Sequence, residues 1–146
     1  MLDVPPSSSG RSSLEVAIEA AHTGARILLQ RFVGEKQVTH KGRADVVTDV
    51  DHESEKVILE VLQHEYPTFG VLAEEGGSRD EHAEYIWVVD PLDGTRNYVS
   101  GIPHFAVNIA LVKGTDVLVA VTYDPVRDEL FHAAKGKGAF LGETHI

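Results

Sequence analysis

Six residues, Asp90-Pro91-Leu92-Asp93-Gly94-Thr95, constrain the fold of this chain more than any other stretch. They follow the apolar run 85–89, whose β-branched and aromatic side chains are typical of a strand buried on both faces. Pro91 has no amide proton to donate to a sheet, so we expect the strand to end at Asp90. Gly94 provides the backbone freedom for a sharp change of direction. The pattern therefore predicts a strand that delivers two carboxylates at its end.

These two carboxylates suggest a metal site. Asp90 and Asp93, together with the carbonyl group of Leu92, form a set of hard oxygen ligands that suits Mg²⁺, Mn²⁺ or Ca²⁺ better than zinc. Without a cation, carboxylates packed this closely would repel each other, and one would tend to hold a proton. Asp-Pro and Asp-Gly are also common turn dipeptides, so a plain connecting turn is the alternative that these residues leave open.

A second pair of acids repeats the same pattern. Glu74 and Glu75 follow the short apolar run 69–73 and precede two glycines. If this strand and the one before Asp90 are parallel neighbours, Glu74, Asp90 and Asp93 meet at one edge of the sheet. Three carboxylates at that edge would require a metal ion. Taken alone, a Glu-Glu pair of this kind is more often part of a solvated loop.

Thr48 and Asp51 precede a predicted helix with the spacing of a capping box in which Asp replaces Glu. A structural cap is therefore one interpretation, because acids in a first turn also interact favourably with the helix dipole. The functional interpretation makes Asp51 a carboxylate that orients a water molecule or a hydroxyl group beside the metal. Both can hold, since the start of a helix is a rigid place for such a group.

The remaining periodicity predicts helices first and strands later. Apolar side chains recur at alternating steps of four and three between residues 13 and 32, which indicates an amphipathic helix. Gly24 inside it marks either a close helix crossing or a tolerated glycine. Residues 105–112, 117–123 and 129–133 predict strands of an antiparallel meander, because short turn-forming segments join them. We interpret 135–138 as a bulged strand and 37–48 as a hairpin or irregular loop around Lys41-Gly42-Arg43.

Charge and composition exclude several functions. The 146 residues include 13 basic and 23 acidic side chains, so the formal charge of −10 disfavours nucleic-acid binding and suits a cation site. The chain has no cysteine, which excludes disulfides, thiolate zinc sites and cysteine nucleophiles. No apolar run approaches the length of about 18 residues that spans a membrane. We expect a soluble, cytoplasmic protein with a disordered tail over residues 1–12.

Four stretches in a common order resemble the inositol monophosphatase family, whose members are Mg²⁺-dependent, lithium-sensitive sugar phosphatases. The resemblance extends over about residues 14–142. In chain order, the four stretches are DVVTDVD at 45–51, AEE at 73–75, WVVDPLDGTRNY at 87–98 with IPHFAV at 102–107, and YDP at 123–125 with KGKGAF at 135–140. The resemblance implies a layered α+β fold, with paired helices packed on a large, mainly antiparallel sheet.

The resemblance also implies roles for single residues. Glu74, Asp90, Asp93 and the carbonyl group of Leu92 would bind Mg²⁺. Thr95 and Asp51, with Glu74, would act in catalysis by positioning and deprotonating the water that attacks phosphorus. The backbone amides of Gly94 and Thr95 would bind the phosphate of a small phosphorylated substrate. His104 is a further candidate near the site, with a structural role as the alternative.

One difference from the family pattern concerns the second half. Family members carry a later Trp-Asp motif that supplies another metal ligand, whereas Trp87 is the single tryptophan here. We therefore expect residues 13–146 to be an N-terminal metal-binding domain without its C-terminal domain, prone to homo-oligomer formation through an uncovered sheet edge. The expected activity is inositol-1-phosphate hydrolysis. The alternatives are a 3′(2′),5′-bisphosphate nucleotidase, a fructose-1,6-bisphosphatase, a histidinol-phosphate phosphatase, or a truncated non-catalytic metal-binding or assembly domain.

Overall fold

Two long helices and a seven-stranded sheet form the protein. The computed structural model describes residues 3–33, 38–40 and 46–146. The described elements are α1 (Ser13–Arg31), β1 (Val38–His40), β2 (Val46–Thr48), α2 (Asp49–Glu65), β3 (Gly70–Ala73), β4 (Ile86–Asp93), α3 (Thr95–Val99), β5 (Ala106–Lys113), β6 (Asp116–Asp124), β7 (Glu129–Ala134), β8 (Gly138–Leu141) and β9 (Thr144–His145).

The large sheet has the strand order β3-β4-β5-β6-β7-β8-β9. Strands β3 and β4 are parallel, and every later pair of neighbours is antiparallel. This arrangement confirms the predicted fold class and the predicted meander. β1 and β2 pair separately as an antiparallel hairpin, and the predicted loop at Lys41-Gly42-Arg43 lies outside the described residues.

The core lies between one face of this sheet and the helix pair. α1 packs on β5 and β6, and α2 packs on β4. Trp87, Ile109 and Leu111 on the sheet and Leu28 and Ile58 on the helices are almost completely buried. The predicted spacing of apolar residues along α1 is thus explained by its packing against the sheet and α2.

Gly24 marks a close crossing of the two helices, which settles the alternative left by the sequence. A Cβ atom at this position would lie 2.5 Å from Cδ1 of Ile58 and 2.9 Å from Oγ of Ser54. The glycine lets the two backbones approach, and this gain outweighs its low helix propensity.

Replacing Gly24 with alanine should therefore destabilise the protein. Alanine gains about 1 kcal/mol in helix propensity, but overpacking of a filled interface costs about 1–3 kcal/mol. We expect a net decrease in the free energy of unfolding, measured by urea denaturation. Arg26→Ala, at an exposed position of α1, is the control and should leave stability nearly unchanged. A stabilised Gly24→Ala protein would contradict the close-crossing interpretation.

Three local predictions are wrong, two in the sheet and one in the N-terminal segment. β4 does not end at Asp90 but continues to Asp93, because Pro91 lies in a register shift between Asp90 and Asp93, where no ladder bond is required of it. Residues 135–137 form a hairpin turn and Gly138 begins β8, so the segment 135–138 is not the predicted bulged strand. Gly136 and Gly138 in it have φ angles of 80° and 87°, which favour a tight turn.

The predicted disordered tail is also incorrect for residues 3–12. The amide group of Ser8 donates to the carbonyl oxygen of Glu65 at 2.8 Å, and the hydroxyl group of Tyr85 donates to that of Asp3 at 2.6 Å. The Glu65 carboxylate accepts from the Ser9 hydroxyl group at 2.7 Å, and this bond, with others from Ser7, Ser9 and Arg11, lowers the pKa of Glu65 to about 2. The partners lie more than fifty residues away along the chain, so the local composition does not reveal them.

Candidate active site

Parallel pairing of β3 and β4 brings the first two predicted ligands together. Ala73 lies opposite Val89, and the amide group of Glu74 donates to the carbonyl oxygen of Val89 at 3.2 Å. Glu74 and Asp90 are therefore the next residues along adjacent strands that run in the same direction. The Glu74 carboxylate lies close enough to that of Asp90, at the carboxyl end of the pair, to raise the pKa of Asp90. The sequence predicted this contact on the condition that the strands were parallel neighbours, and that condition is confirmed.

The half-buried Asp90 side chain lies in an environment that disfavours its charge. Burial raises the pKa of Asp90 well above its ordinary value, and the carboxylates of Glu74 and Asp93 raise it further. Its Oδ1 atom accepts from the amide group of Leu92 at 3.2 Å, which holds the side chain over the strand end. Two contacting acids of this kind are stabilised by a shared proton or by a cation.

The Asp93 carboxylate bonds to β5, whereas we expected it to join those of Glu74 and Asp90. Its side chain is exposed, and its Oδ2 atom accepts from Nδ2 of Asn108 on β5 at 3.1 Å. Asn108 in turn accepts from the Thr122 hydroxyl group at 2.7 Å. Within the described ranges, no three His, Cys, Asp or Glu side chains form a group that could hold a metal ion. Glu74 and Asp90 meet, whereas Asp93 reaches the same strand end with its carboxylate held by Asn108.

Thr95 and Asp51 form the second part of the site. The Thr95 hydroxyl group donates to Oδ1 of Asp51 at 3.0 Å, and the carbonyl oxygen of Leu92 lies 3.2 Å from the same hydroxyl oxygen. The other oxygen, Oδ2, accepts from the amide and hydroxyl groups of Thr48 at 2.9 and 2.6 Å. Asp51 is completely buried. One carboxylate thus completes the predicted capping box of α2 and orients Thr95.

Gly94 is required where β4 turns into α3. It has a φ angle of 91°, and a Cβ atom would lie 2.9 Å from the carbonyl oxygen of His104. A larger residue would therefore be strained and would displace the following segment. The turn places the amides of Gly94 and Thr95 at the beginning of α3, next to the acids of β4. α3 is fixed to α1 because the Tyr98 hydroxyl group donates to the carbonyl oxygen of Leu28 at 2.7 Å.

A cavity of about 600 Å³ opens beside these residues. Asp93 and Gly94 line one side of it, and His104, Arg127 and Glu129 contribute to the rest. The His104 side chain is exposed, so the structural alternative of a partly buried histidine does not describe it. The cavity has the size and polarity to hold a small polar ligand next to Asp93.

Sequence reasoning missed several residues that shape the site. Ser54 and Glu55 lie three and four positions after Asp51, so their helical spacing already placed them on the same face of α2. Asn108 is a polar residue within an apolar strand, which is a usable signal for a special role. Arg127 carries no comparable signal, because an arginine in a turn is usually solvated.

The family model for the inositol monophosphatase family matches residues 11–146. The chain belongs to this family. Its similarity to inositol-1-monophosphatase of Caulobacter vibrioides is 48% identity over 129 residues, which cover 86% of this chain and 50% of that protein. Its identity to Nus factor SuhB of Xylella fastidiosa is 42% over 139 residues, covering 93% of this chain and 50% of that protein.

A solved structure supports the assignment of the fold. The chain superposes on the extragenic suppressor protein suhB from Bartonella henselae with a TM-score of 0.87 and 40% identity. The match covers 90% of this chain and 52% of that chain. The chain therefore spans about half the length of the relatives that it matches, and its family is one of phosphatases that act on small phosphorylated substrates.

The donor set fits the metal dependence of this phosphatase family. Glu74 and Asp90 are neighbouring acids whose mutual repulsion a divalent cation would relieve. The available donors are carboxylate and carbonyl oxygens, which suit Mg²⁺.

In the part of the chain that the structure describes, no helix has the length and apolar character needed to span a membrane.

Proposed function

We propose that this chain carries the metal-binding half of a Mg²⁺-dependent phosphomonoesterase that hydrolyses inositol 1-phosphate. The hydrogen bond between Thr95 and Asp51, next to the Glu74–Asp90 pair, is the observation that carries the proposal. The buried Asp51 carboxylate can accept a proton, and the Thr95 hydroxyl group bonds to it. The acid pair that requires a cation follows the neighbouring strands β3 and β4. This combination suits hydrolysis by water without a protein nucleophile.

In this proposal, Glu74, Asp90, Asp93 and the carbonyl group of Leu92 hold Mg²⁺. When bound, Mg²⁺ lowers the pKa of water and offsets charge on the phosphoryl oxygens. The amides of Gly94 and Thr95 donate to the phosphate oxygens. The Asp93 carboxylate, which accepts from Asn108, would have to turn toward Glu74 and Asp90 to join them.

Proton transfer is the task of Thr95 and Asp51. The Thr95 hydroxyl group already donates its hydrogen to Oδ1 of Asp51, so its oxygen is free to accept a proton from the attacking water. The two bonds from Thr48 leave Oδ1 as the oxygen of Asp51 that faces Thr95. As the water oxygen bonds to phosphorus, its proton passes to Thr95 and the Thr95 proton passes to Asp51. The ester bond breaks, and the leaving oxygen takes up a proton from solvent as the sugar alcohol departs; Asp51 then returns its proton to solvent through Thr95.

A second function comes from a different class. The chain spans about half of the matched relatives, one of which is named Nus factor SuhB, and no group of three acids is assembled among the described residues. A non-catalytic domain that binds metal weakly and serves in assembly is therefore the competing proposal. The predicted nucleotidase, fructose-1,6-bisphosphatase and histidinol-phosphate phosphatase activities are alternatives within the enzyme class.

Phosphate release from inositol 1-phosphate, with and without Mg²⁺, distinguishes the two classes. We expect Mg²⁺-dependent turnover by this chain and its loss in Asp93→Asn, because Asp93 is a proposed Mg²⁺ ligand with an exposed carboxylate. Asp116→Asn is the matched control, since Asp116 is exposed and its carboxylate pairs with Lys135 far along the sheet. The assay is repeated with fructose 1,6-bisphosphate to compare substrates. No turnover from a folded chain would favour the assembly domain.

A further inference from the structure

Three residues on one face of α2 each bond to a different segment of the site. Asp51 accepts from Thr95, and the Ser54 hydroxyl group donates to the carbonyl oxygen of Pro91 at 3.1 Å. Glu55, one position further, reaches the loop after β3. Positions 51, 54 and 55 share a face because they are separated by three and four residues. One rigid helix thus contacts both strand ends that carry the predicted ligands.

Glu55 makes the most extensive of these contacts. Its Oε2 atom accepts from the amide group of Glu75 at 2.7 Å, and its Oε1 atom accepts from that of Gly77 at 2.8 Å. The side chain is 4% exposed, and hydrogen bonds from amides to a charged carboxylate are short and strong when water is excluded. Each oxygen therefore holds one amide of the loop.

The glycine at position 77 makes this contact possible. A Cβ atom there would lie 2.7 Å from Oε1 of Glu55 and 2.4 Å from Cδ1 of Leu59. Any larger residue would push the loop away from α2. The Gly-Gly pair that the sequence showed after Glu74 and Glu75 therefore serves the approach of the loop to Glu55.

These contacts fix the backbone on both sides of the Glu74 side chain. Its own amide group bonds to Val89 of β4, and the next amide in the chain bonds to Glu55. Ser78 closes the far end of the loop, because its hydroxyl oxygen accepts from the amide group of Ala73 at 3.0 Å. The Glu74 side chain itself is exposed. Its direction toward Asp90 thus depends on how the backbone around it is held.

We propose that Glu55 is a positioning residue of the metal site, which directs the Glu74 carboxylate toward Asp90 by binding the amides of Glu75 and Gly77. This inference rests on the proposed function for its metal, but the contact itself exists without one. Mutation of residues that orient metal ligands typically weakens metal binding by about 10- to 100-fold. Glu55 is expected to act in this range.

Glu55→Gln tests the proposal in two measurements. Glutamine keeps the size of the side chain, but its amide nitrogen cannot accept from a backbone N–H group, so one of the two bonds is lost. In the metal-free protein, we expect faster hydrogen exchange at whichever of the amides of Glu75 and Gly77 loses its acceptor, resolved by NMR. In calorimetric titration with Mn²⁺, we expect affinity to fall by about tenfold.

Glu65→Gln is the matched control. Glu65 is also a buried glutamate of α2 and also accepts hydrogen bonds from a loop, but it lies at the other end of the helix. This variant should lose stability with unchanged Mn²⁺ affinity, whereas Glu55→Gln should lose affinity as well. If Glu55→Gln does not fold, Glu55→Asp is measured in its place, because the shorter carboxylate cannot span both amides.

The outcomes separate the two proposals. Unchanged exchange at Glu75 and Gly77 would overturn the positioning role, whatever the metal does. Faster exchange with unchanged Mn²⁺ affinity, or an equal loss of affinity in Glu65→Gln, would also overturn it. A wild-type protein that binds no Mn²⁺ would instead overturn the proposed function.

Discussion

Asp51→Ala should lower the free energy of unfolding by about 3 kcal/mol and reduce phosphate release by about 10²- to 10⁴-fold. The buried carboxylate accepts from both the amide and hydroxyl groups of Thr48 and from the hydroxyl group of Thr95. Alanine leaves these donors without their acceptor in a site closed to water. It also removes half of the capping box that begins α2.

Urea denaturation and a phosphate-release assay measure the two effects separately. Glu60→Ala is the control for charge and helix, since Glu60 is an exposed acid of α2 and should change stability by less than about 0.5 kcal/mol. A loss of stability without loss of turnover would mean that Asp51 serves α2 alone. A protein of unchanged stability would contradict the buried network itself.

Asp90→Asn should stabilise the metal-free protein at neutral pH and abolish its stabilisation by Mg²⁺. Burial and the neighbouring Glu74 carboxylate raise the pKa of Asp90 in the folded state above its value of about 4 in the unfolded chain. Between these two values, the folded state binds more protons than the unfolded state. The free energy of unfolding therefore decreases as the pH rises through this window.

The amide of asparagine is the neutral analogue of the protonated acid, so the variant should lose this pH dependence. We expect a gain of about 1 kcal/mol at neutral pH, since solvent screening at the partly exposed site reduces the effect. Addition of Mg²⁺ should raise the melting temperature of the wild-type protein and leave that of Asp90→Asn unchanged. Thermal denaturation from about pH 4 to about pH 8, with and without Mg²⁺, measures both the pH dependence of stability and the stabilisation by the metal.

Asp116→Asn again provides the control, because Asp116 is exposed and has no contact with the acid pair. Its stability should follow the wild-type pH profile. An Asp90→Asn protein that is less stable than the wild type at neutral pH would show that the Glu74–Asp90 pair is not under electrostatic strain. The case for a cation at this position would then lose its physical basis.

Much of this architecture was predictable because local patterns determine it. The steps of three and four along α1 and the turn-forming segments between β5, β6 and β7 each reflect a requirement within a few residues. The Thr48–Asp51 capping box is of the same kind, and the structure confirms it. The contact between Glu74 and Asp90 required one further assumption, that β3 and β4 run side by side.

Other features depended on partners far away in the chain. The ordered segment 3–12 is held by Glu65 and Tyr85, and Asp93 is held by Asn108. The residue types in these contacts are ordinary, so nothing in their own neighbourhood distinguishes them. The strand end predicted from Pro91 was wrong for a related reason. The bulge that frees Pro91 from the ladder arises from the pairing of β4 with β5.

By itself, the sequence indicated which residues could carry chemistry and which element presents each of them, because periodicity, capping and turn geometry act within a few residues. Asp51 at a helix start and Glu74 and Asp90 after two strands follow from that local physics. The tertiary structure decided how these groups face one another. It joined Thr95 to Asp51 and turned Asp93 toward Asn108. It also brought Glu55 beneath the loop of Glu74, since such contacts depend on which surfaces pack together and no local pattern encodes that choice.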